Sequence, residues 1–155
     1  LDLRLGAVHK IVEGGAYIEV DGEAGLGKRK GVKTEVLAIF KEGDKTQEEV
    51  IIEPGKYYLV ETYETVNTPD DLMPMLYPRS SLFRAGLLLL NTKTDPGYKG
   101  KLIMGLRNLS DFPVKFQMGA RICNIVFHKI EGKTVKYRGQ NQGGRLTAQK
   151  EERQV

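Results

Sequence analysis

Val114, Phe116 and Met118 alternate with Lys115 and Gln117, and Leu102, Met104 and Leu106 share one face of a neighbouring run. A period of two puts every second side chain on the same side of an extended strand, so such segments bury an apolar face only within a sheet. The run from Tyr57 to Val66 is dense in aromatic and β-branched residues and follows the breaker Pro54-Gly55. Helix signals amount to two single turns. Thr68-Pro69-Asp70-Asp71-Leu72-Met73 offers a threonine cap, a proline at the first position and acids near the positive end. Ser80-Ser81-Leu82-Phe83-Arg84 offers the other. Many short strands with turn residues between them predict an all-β fold, a distorted jelly roll or β-sandwich barrel with very little helix. The stretch from Asp21 to Glu49 is rich in glycine and charge and reads as a long loop or hairpin insertion.

A length of 155 residues fits one domain, here 1–136. The remainder, 137–155, is polar and glycine-rich and has too few apolar residues to order itself. Twenty-four Lys and Arg against 20 Asp and Glu give a net charge of +4. That mild excess suits a small anionic ligand, and the scatter of the basic residues argues against nucleic acid as a partner. The single cysteine, Cys123, excludes an internal disulfide and lies in a strand-like apolar run, which predicts a buried thiol and a reducing, cytoplasmic setting. No apolar run reaches the length of a membrane helix, so no membrane partner is expected. A strand-like segment begins at once from Leu1, which reads as the loss or removal of an N-terminal piece.

Two runs fourteen residues apart carry the candidate chemistry. In Asp95-Pro96-Gly97-Tyr98, proline holds the preceding residue extended and glycine takes the positive φ of a type II turn. The Asp95 carboxylate is thereby fixed at a strand end, as a general base requires, although an aspartate that only caps a turn has the same pattern. In Arg79-Ser80-Ser81, the guanidinium suits bidentate phosphate binding and a serine can cap a short helix whose free N–H groups face an anion; plain capping is the alternative. Arg84 lies one helical turn beyond Ser80. Gly22-Glu23-Ala24-Gly25-Leu26-Gly27-Lys28 fits most of a phosphate-binding P-loop, but Arg29 stands where a magnesium-holding hydroxyl belongs and no helix follows, so a surface loop is the better reading. His9 and His128 have no spaced partners that would build a zinc cage. Mg²⁺ arriving on a phosphorylated substrate needs no such cage.

Taken in order, several runs resemble the trimeric dUTPase and dCTP deaminase superfamily. They are Leu1-Asp2-Leu3-Arg4-Leu5-Gly6, Glu64–Leu72, Pro78-Arg79-Ser80-Ser81-Leu82, Asp95–Gly100, Gly119–Asn124 and the glycine-rich Tyr137–Arg145. The resemblance implies a homotrimer with active sites between subunits and a deoxynucleoside triphosphate bound with Mg²⁺. It implies Asp95 as the catalytic carboxylate, with Arg79, Ser80, Ser81, Asn124 and Arg138 on the phosphates. Asn91 and Tyr98 would meet the nucleoside, with Arg84 and Arg145 as further contacts. Arg138 would act when the tail closes over a neighbouring subunit's site.

Two chemistries share the resembled fold. The deaminase pattern places a glutamate where this chain has Gly105, and no other carboxylate lies on that strand. A missing acid–base group costs about 10²–10⁴ in rate. The expectation is therefore dUTP hydrolysis to dUMP and pyrophosphate, by in-line attack of water on the α-phosphorus. A dCTP deaminase or bifunctional enzyme is the alternative, and a non-catalytic trimer that binds nucleotide or protein is the second. Asn124 stands in place of the usual glutamine of the fourth motif, and the tail lacks the phenylalanine that stacks on uracil in many dUTPases.

Overall fold

The computed structural model describes residues 1–19, 27–44, 46 and 48–153. Among them the elements run β1 (Asp2–Glu13), β2 (Tyr17–Ile18), β3 (Lys28–Lys30), β4 (Lys33–Ile39), β5 (Glu49–Ile52), β6 (Tyr57–Asn67), β7 (Leu72–Pro78), α1 (Ser80–Arg84), β8 (Leu87–Leu90), β9 (Lys99–Asn108), β10 (Val114–Gln117), β11 (Arg121–Lys129) and β12 (Glu152–Arg153). The principal sheet is ordered β7-β11-β1-β6-β9-β8, with β4 also paired to β1, and it curls into a nearly closed antiparallel barrel. β10 pairs with β5, and β12-β3-β2 form a small third sheet. The expected all-β architecture is what the chain adopts.

The period of two does what it predicts. Leu102, Met104 and Leu106 of β9 are 6%, 2% and 2% exposed and meet Leu5, Val8 and Val60 in one core. Each such side chain contributes about 1.5–3 kcal/mol on burial. Where the β6–β9 register shifts between Glu61 and Thr65, the buried Thr62 hydroxyl accepts from the Leu102 amide at 3.0 Å and donates to the Glu64 carbonyl at 2.8 Å. The Thr62 hydroxyl thus pairs the Leu102 amide and Glu64 carbonyl where the ladder is interrupted. Asn108, fully buried, donates to the Ile52 and Phe112 carbonyls and accepts from Ser110.

One expectation fails locally. Thr68–Met73 is not a helical turn: the Leu72 amide reaches only the Pro69 carbonyl, at 3.4 Å, and Leu72 already opens β7. β6 stays paired to β9 through Asn67, and β7 pairs with β11 from Leu72 onward. Only a tight reversal fits between them, so strand pairing overrides the capping signals. Asp21–Glu49, read as a long loop or hairpin insertion, takes the second form in part: β4 pairs back onto β1 from Ala7 to Glu13, and β3 pairs with β2. Most of the P-loop-like run, 22–26, lies outside the described residues; Lys28 begins β3. Cys123 is 0% exposed, and burial pushes its thiol up to about 12, so it is an inert strand residue.

Candidate active site

The Asp95 turn forms as the sequence dictates. The Tyr98 amide donates to the Asp95 carbonyl at 3.2 Å, and Gly97 takes φ +75°. Thr68 fixes the turn from outside, its amide donating to the Tyr98 carbonyl at 2.8 Å and its carbonyl accepting from the Gly97 amide at 3.1 Å. The Asp95 carboxylate, partly exposed, takes an ion pair from Lys93.

Beside it lies an open cavity of about 290 Å³, lined on the barrel side by Leu76, Thr92–Asp95, Tyr98, Leu102 and Ile103 and on the tail side by Tyr137, Asn141, Arg145 and Leu146. Tyr98 is 7% exposed, donates its hydroxyl to the Lys101 carbonyl at 2.5 Å and meets the Tyr137 ring edge-on at 5.3 Å. Burial first, and then the Tyr137 phenol, raise the Tyr98 pKa, so it works as a neutral hydrogen-bonding wall.

The tail reaches this position through glycine. A Cβ on Gly100 would stand 2.5 Å from the Gly144 amide nitrogen, and one on Gly144 would stand 2.8 Å from that of Lys101. Only bare backbone permits the approach. The Gly143 amide then donates to the Lys99 carbonyl at 2.8 Å, and the Gln142 side chain bridges the Lys99 amide and the Gly97 carbonyl. Segment 137–146 therefore packs on the turn of its own chain.

The second run stands elsewhere. Arg79 is the N-cap of α1 in extended geometry, no side chain caps the helix, and Ser80 and Ser81 are exposed within its first turn; the expected serine cap is absent. The Arg79 guanidinium binds Asp2 at 2.6 Å and Arg121 binds the other oxygen at 3.0 Å, which together hold the Asp2 carboxyl below its usual range. Asn124 lies opposite Asp2 and Tyr77 across the ladders. Arg79, Ser80, Ser81, Arg84, Asn91, Asn124 and Arg138 do not line the cavity; of the expected set, Asp95, Tyr98 and Arg145 do.

Sequence reasoning did not single out Lys93, nor Tyr137 and Asn141 within the glycine-rich run 137–145. It also missed Glu61. No carboxylate lies on β9 itself, but Glu61 of β6 faces Ile103 directly across the ladder, with His9 Nε2 3.1 Å and Lys101 Nζ 3.8 Å away. The space over Gly105 is taken by Tyr57, whose hydroxyl would lie 2.2 Å from a Cβ there.

The nearly closed antiparallel barrel defines an all-β fold of the dUTPase type, and comparison with known proteins narrows it. Residues 1–130 match the family model described as dCTP deaminase-like. The chain is 37% identical over 119 residues to the dCTP deaminase of Pyrococcus furiosus, covering 76% of this chain and 73% of that one. It is 39% identical over 104 residues to the dUMP-forming dCTP deaminase of Sulfurihydrogenibium sp., covering 66% of this chain and 58% of that one. The crystal structure of 2'-deoxycytidine 5'-triphosphate deaminase from Agrobacterium tumefaciens superposes with a TM-score of 0.58 at 22% identity, over 82% of this chain and 38% of that one, and shows the shared fold. The chain belongs to the dCTP deaminase-like family, within the dUTPase and dCTP deaminase superfamily. These relatives overturn the expectation of a dUTP diphosphatase. That expectation weighed one position, Gly105, on an isolated strand; sequence shared along most of the chain follows the deaminases.

Proposed function

We propose that the protein acts on dCTP as a deaminase of the dUMP-forming kind. Water adds to C4 of the cytosine ring and ammonia leaves; a second water attacks the α-phosphorus and pyrophosphate leaves. The observation that supports this reading is the cavity that joins Asp95 and Lys93 to Tyr98, Asn141 and Arg145 within a dCTP deaminase-like chain. Asp95 is the carboxylate at the cavity and serves as the base that orients and deprotonates water. Lys93 neutralises that carboxylate until an anionic substrate competes for the ammonium. Tyr98 and Tyr137 wall the nucleoside, and Arg145 faces the phosphates.

Among the described residues no group of three or more His, Cys, Asp or Glu side chains could cage a metal ion. Mg²⁺ enters on the triphosphate, as part of the substrate. Arg79, Ser80 and Ser81 complete a phosphate site only if a second copy brings them to the cavity, as the shared sites of the proposed homotrimer would. No helix of the described residues is long and apolar enough to cross a membrane.

The test is incubation of the protein with dCTP and Mg²⁺, followed by assay of ammonia, dUTP and dUMP. Ammonia and dUMP in equal amounts are expected. Accumulation of dUTP would identify a deaminase alone, and dCTP left intact would defeat the proposal.

A further inference from the structure

Outside the catalytic turn, the most developed charge cluster joins the end of the chain to the β2–β3 hairpin. Glu152 grips Arg145 with both oxygens, Nη1 to Oε2 and Nη2 to Oε1, each at 2.6 Å. The same carboxylate accepts from Arg29 Nε at 2.8 Å. Arg29 Nη2 reaches Gln140 at 3.2 Å, at the near end of the tail. One carboxylate thus ties a cavity residue to a strand remote from the cavity in sequence.

Two backbone observations support the same docking independently. Glu152 and Arg153 pair with Arg29 and Lys28 as a strand ladder, and the Gly31 amide donates to the Ala148 carbonyl. A Cβ on Gly31, just after β3, would fall 1.8 Å from the Thr147 hydroxyl and 3.1 Å from the Ala148 backbone, so the tail packs closely on the end of the hairpin and a side chain there would force Thr147 to shift. Glu151 adds a second clasp, accepting from the Tyr17 hydroxyl at 2.6 Å and pairing with Lys28 at 2.9 Å.

The fork geometry has a consequence for Arg145. Both terminal nitrogens bond Glu152, and Nη2 also reaches Asn141 Oδ1 at 3.4 Å, which fixes the plane of the guanidinium and leaves the outer N–H of Nη1 for a ligand, while Nε is buried with no hydrogen-bond partner. A guanidinium gripped on one edge is pre-organised, so less freedom is lost when an oxyanion binds it.

We propose that Glu152 is a positioning residue: it orients Arg145 at the cavity for the phosphate chain and, through Arg29, latches the tail onto the β2–β3 hairpin. The proposal rests on the reading of the cavity as a nucleotide site, but the latch has its own readout. Two measurements on the full chain test it. The first is amide hydrogen exchange over residues 141–149 without nucleotide; the second is steady-state kinetics with dCTP and Mg²⁺.

Glu152→Gln is expected to speed exchange in 141–149 by about tenfold or more while the core strands stay protected. It is expected to raise KM about tenfold with kcat within about threefold, the scale of one charge-assisted hydrogen bond. Glu152→Asp should recover part of both. Arg29→Gln keeps the Arg145–Glu152 fork, so it should loosen the tail with a smaller change in KM; it also serves if Glu152→Gln proves unstable. Unchanged exchange in both variants would overturn the latch. Faster exchange with KM unmoved would overturn the positioning role. Absence of dCTP turnover by the unaltered protein would defeat the proposed function alone, since the exchange experiment needs no substrate.

Discussion

At Asp95 three neighbours settle the geometry before any ligand arrives: Pro96 limits the backbone, Gly97 supplies the positive φ, and Thr68 holds the turn from the adjacent connection. Asp95→Asn keeps these contacts and removes the carboxylate charge together with its Lys93 ion pair, so, with Asp95 as the proposed base, turnover of dCTP should fall by about 10²–10⁴ with the melting temperature little changed. A large loss of stability would assign Asp95 to the scaffold instead. Glycines separate two kinds of crowding. A Cβ on Gly6 would meet the Tyr63 and Thr62 backbone at 2.6–2.7 Å, whereas one on Gly105 would meet the far end of the half-exposed Tyr57 side chain. Backbone cannot yield, and a partly exposed ring can. Gly6→Ala should therefore cost about 1–3 kcal/mol in denaturant unfolding, and Gly105→Ala clearly less. The reverse order would show that Tyr57 is pinned.

At the scale of elements, β9 carries both stability and the site. Its even residues enter the core, while Lys101 and Ile103 lie on the face shared with Glu61. Met104→Ala should cost about 2–5 kcal/mol by thermal or denaturant unfolding, the range for a large core side chain. The tail has a different basis: apart from Tyr137 packed against Tyr98, ion pairs and glycine contacts hold it. Hydrogen bonds from Arg145 hold the Glu152 carboxyl below its usual range, and those from Tyr17 and Lys28 do the same for Glu151. A carboxyl depressed in the folded state contributes fully above its ordinary range and loses that contribution as pH falls through its folded value. The tail should therefore detach in acid below the ordinary carboxylate range, before the barrel unfolds. An amide NMR titration tests this: tail resonances should lose dispersion first, and simultaneous loss with the core would contradict an independent latch.

For the whole molecule, the arrangement of the two motif runs is the main result. Arg79 is engaged with Asp2 at one place and Asp95 stands at the cavity in another. If copies share sites, mixing Arg79→Ala and Asp95→Asn subunits should restore activity that neither variant has alone, because some mixed sites draw both intact residues. Absence of complementation, with subunits shown to exchange, would argue for sites confined to one chain. Much of this was legible in the residues. The period of two in β9 and β10, the Pro-Gly turn after Asp95 and the apolar flanks of Cys123 are local, and local sterics and solvation act on neighbours in the chain. Misreading began where partners are distant. The helix signals of 68–73 yielded to strands recruited by β9 and β11, and Glu61 came opposite Ile103 through a register that no single strand reveals. By itself the sequence determined the strand-forming segments, the Asp95 turn and the family. Only the tertiary structure decided which carboxylates share a face, that Tyr57 covers Gly105, and that Glu152 closes on Arg145, because cross-strand register and the docking of a polar tail depend on contacts between residues far apart in the chain.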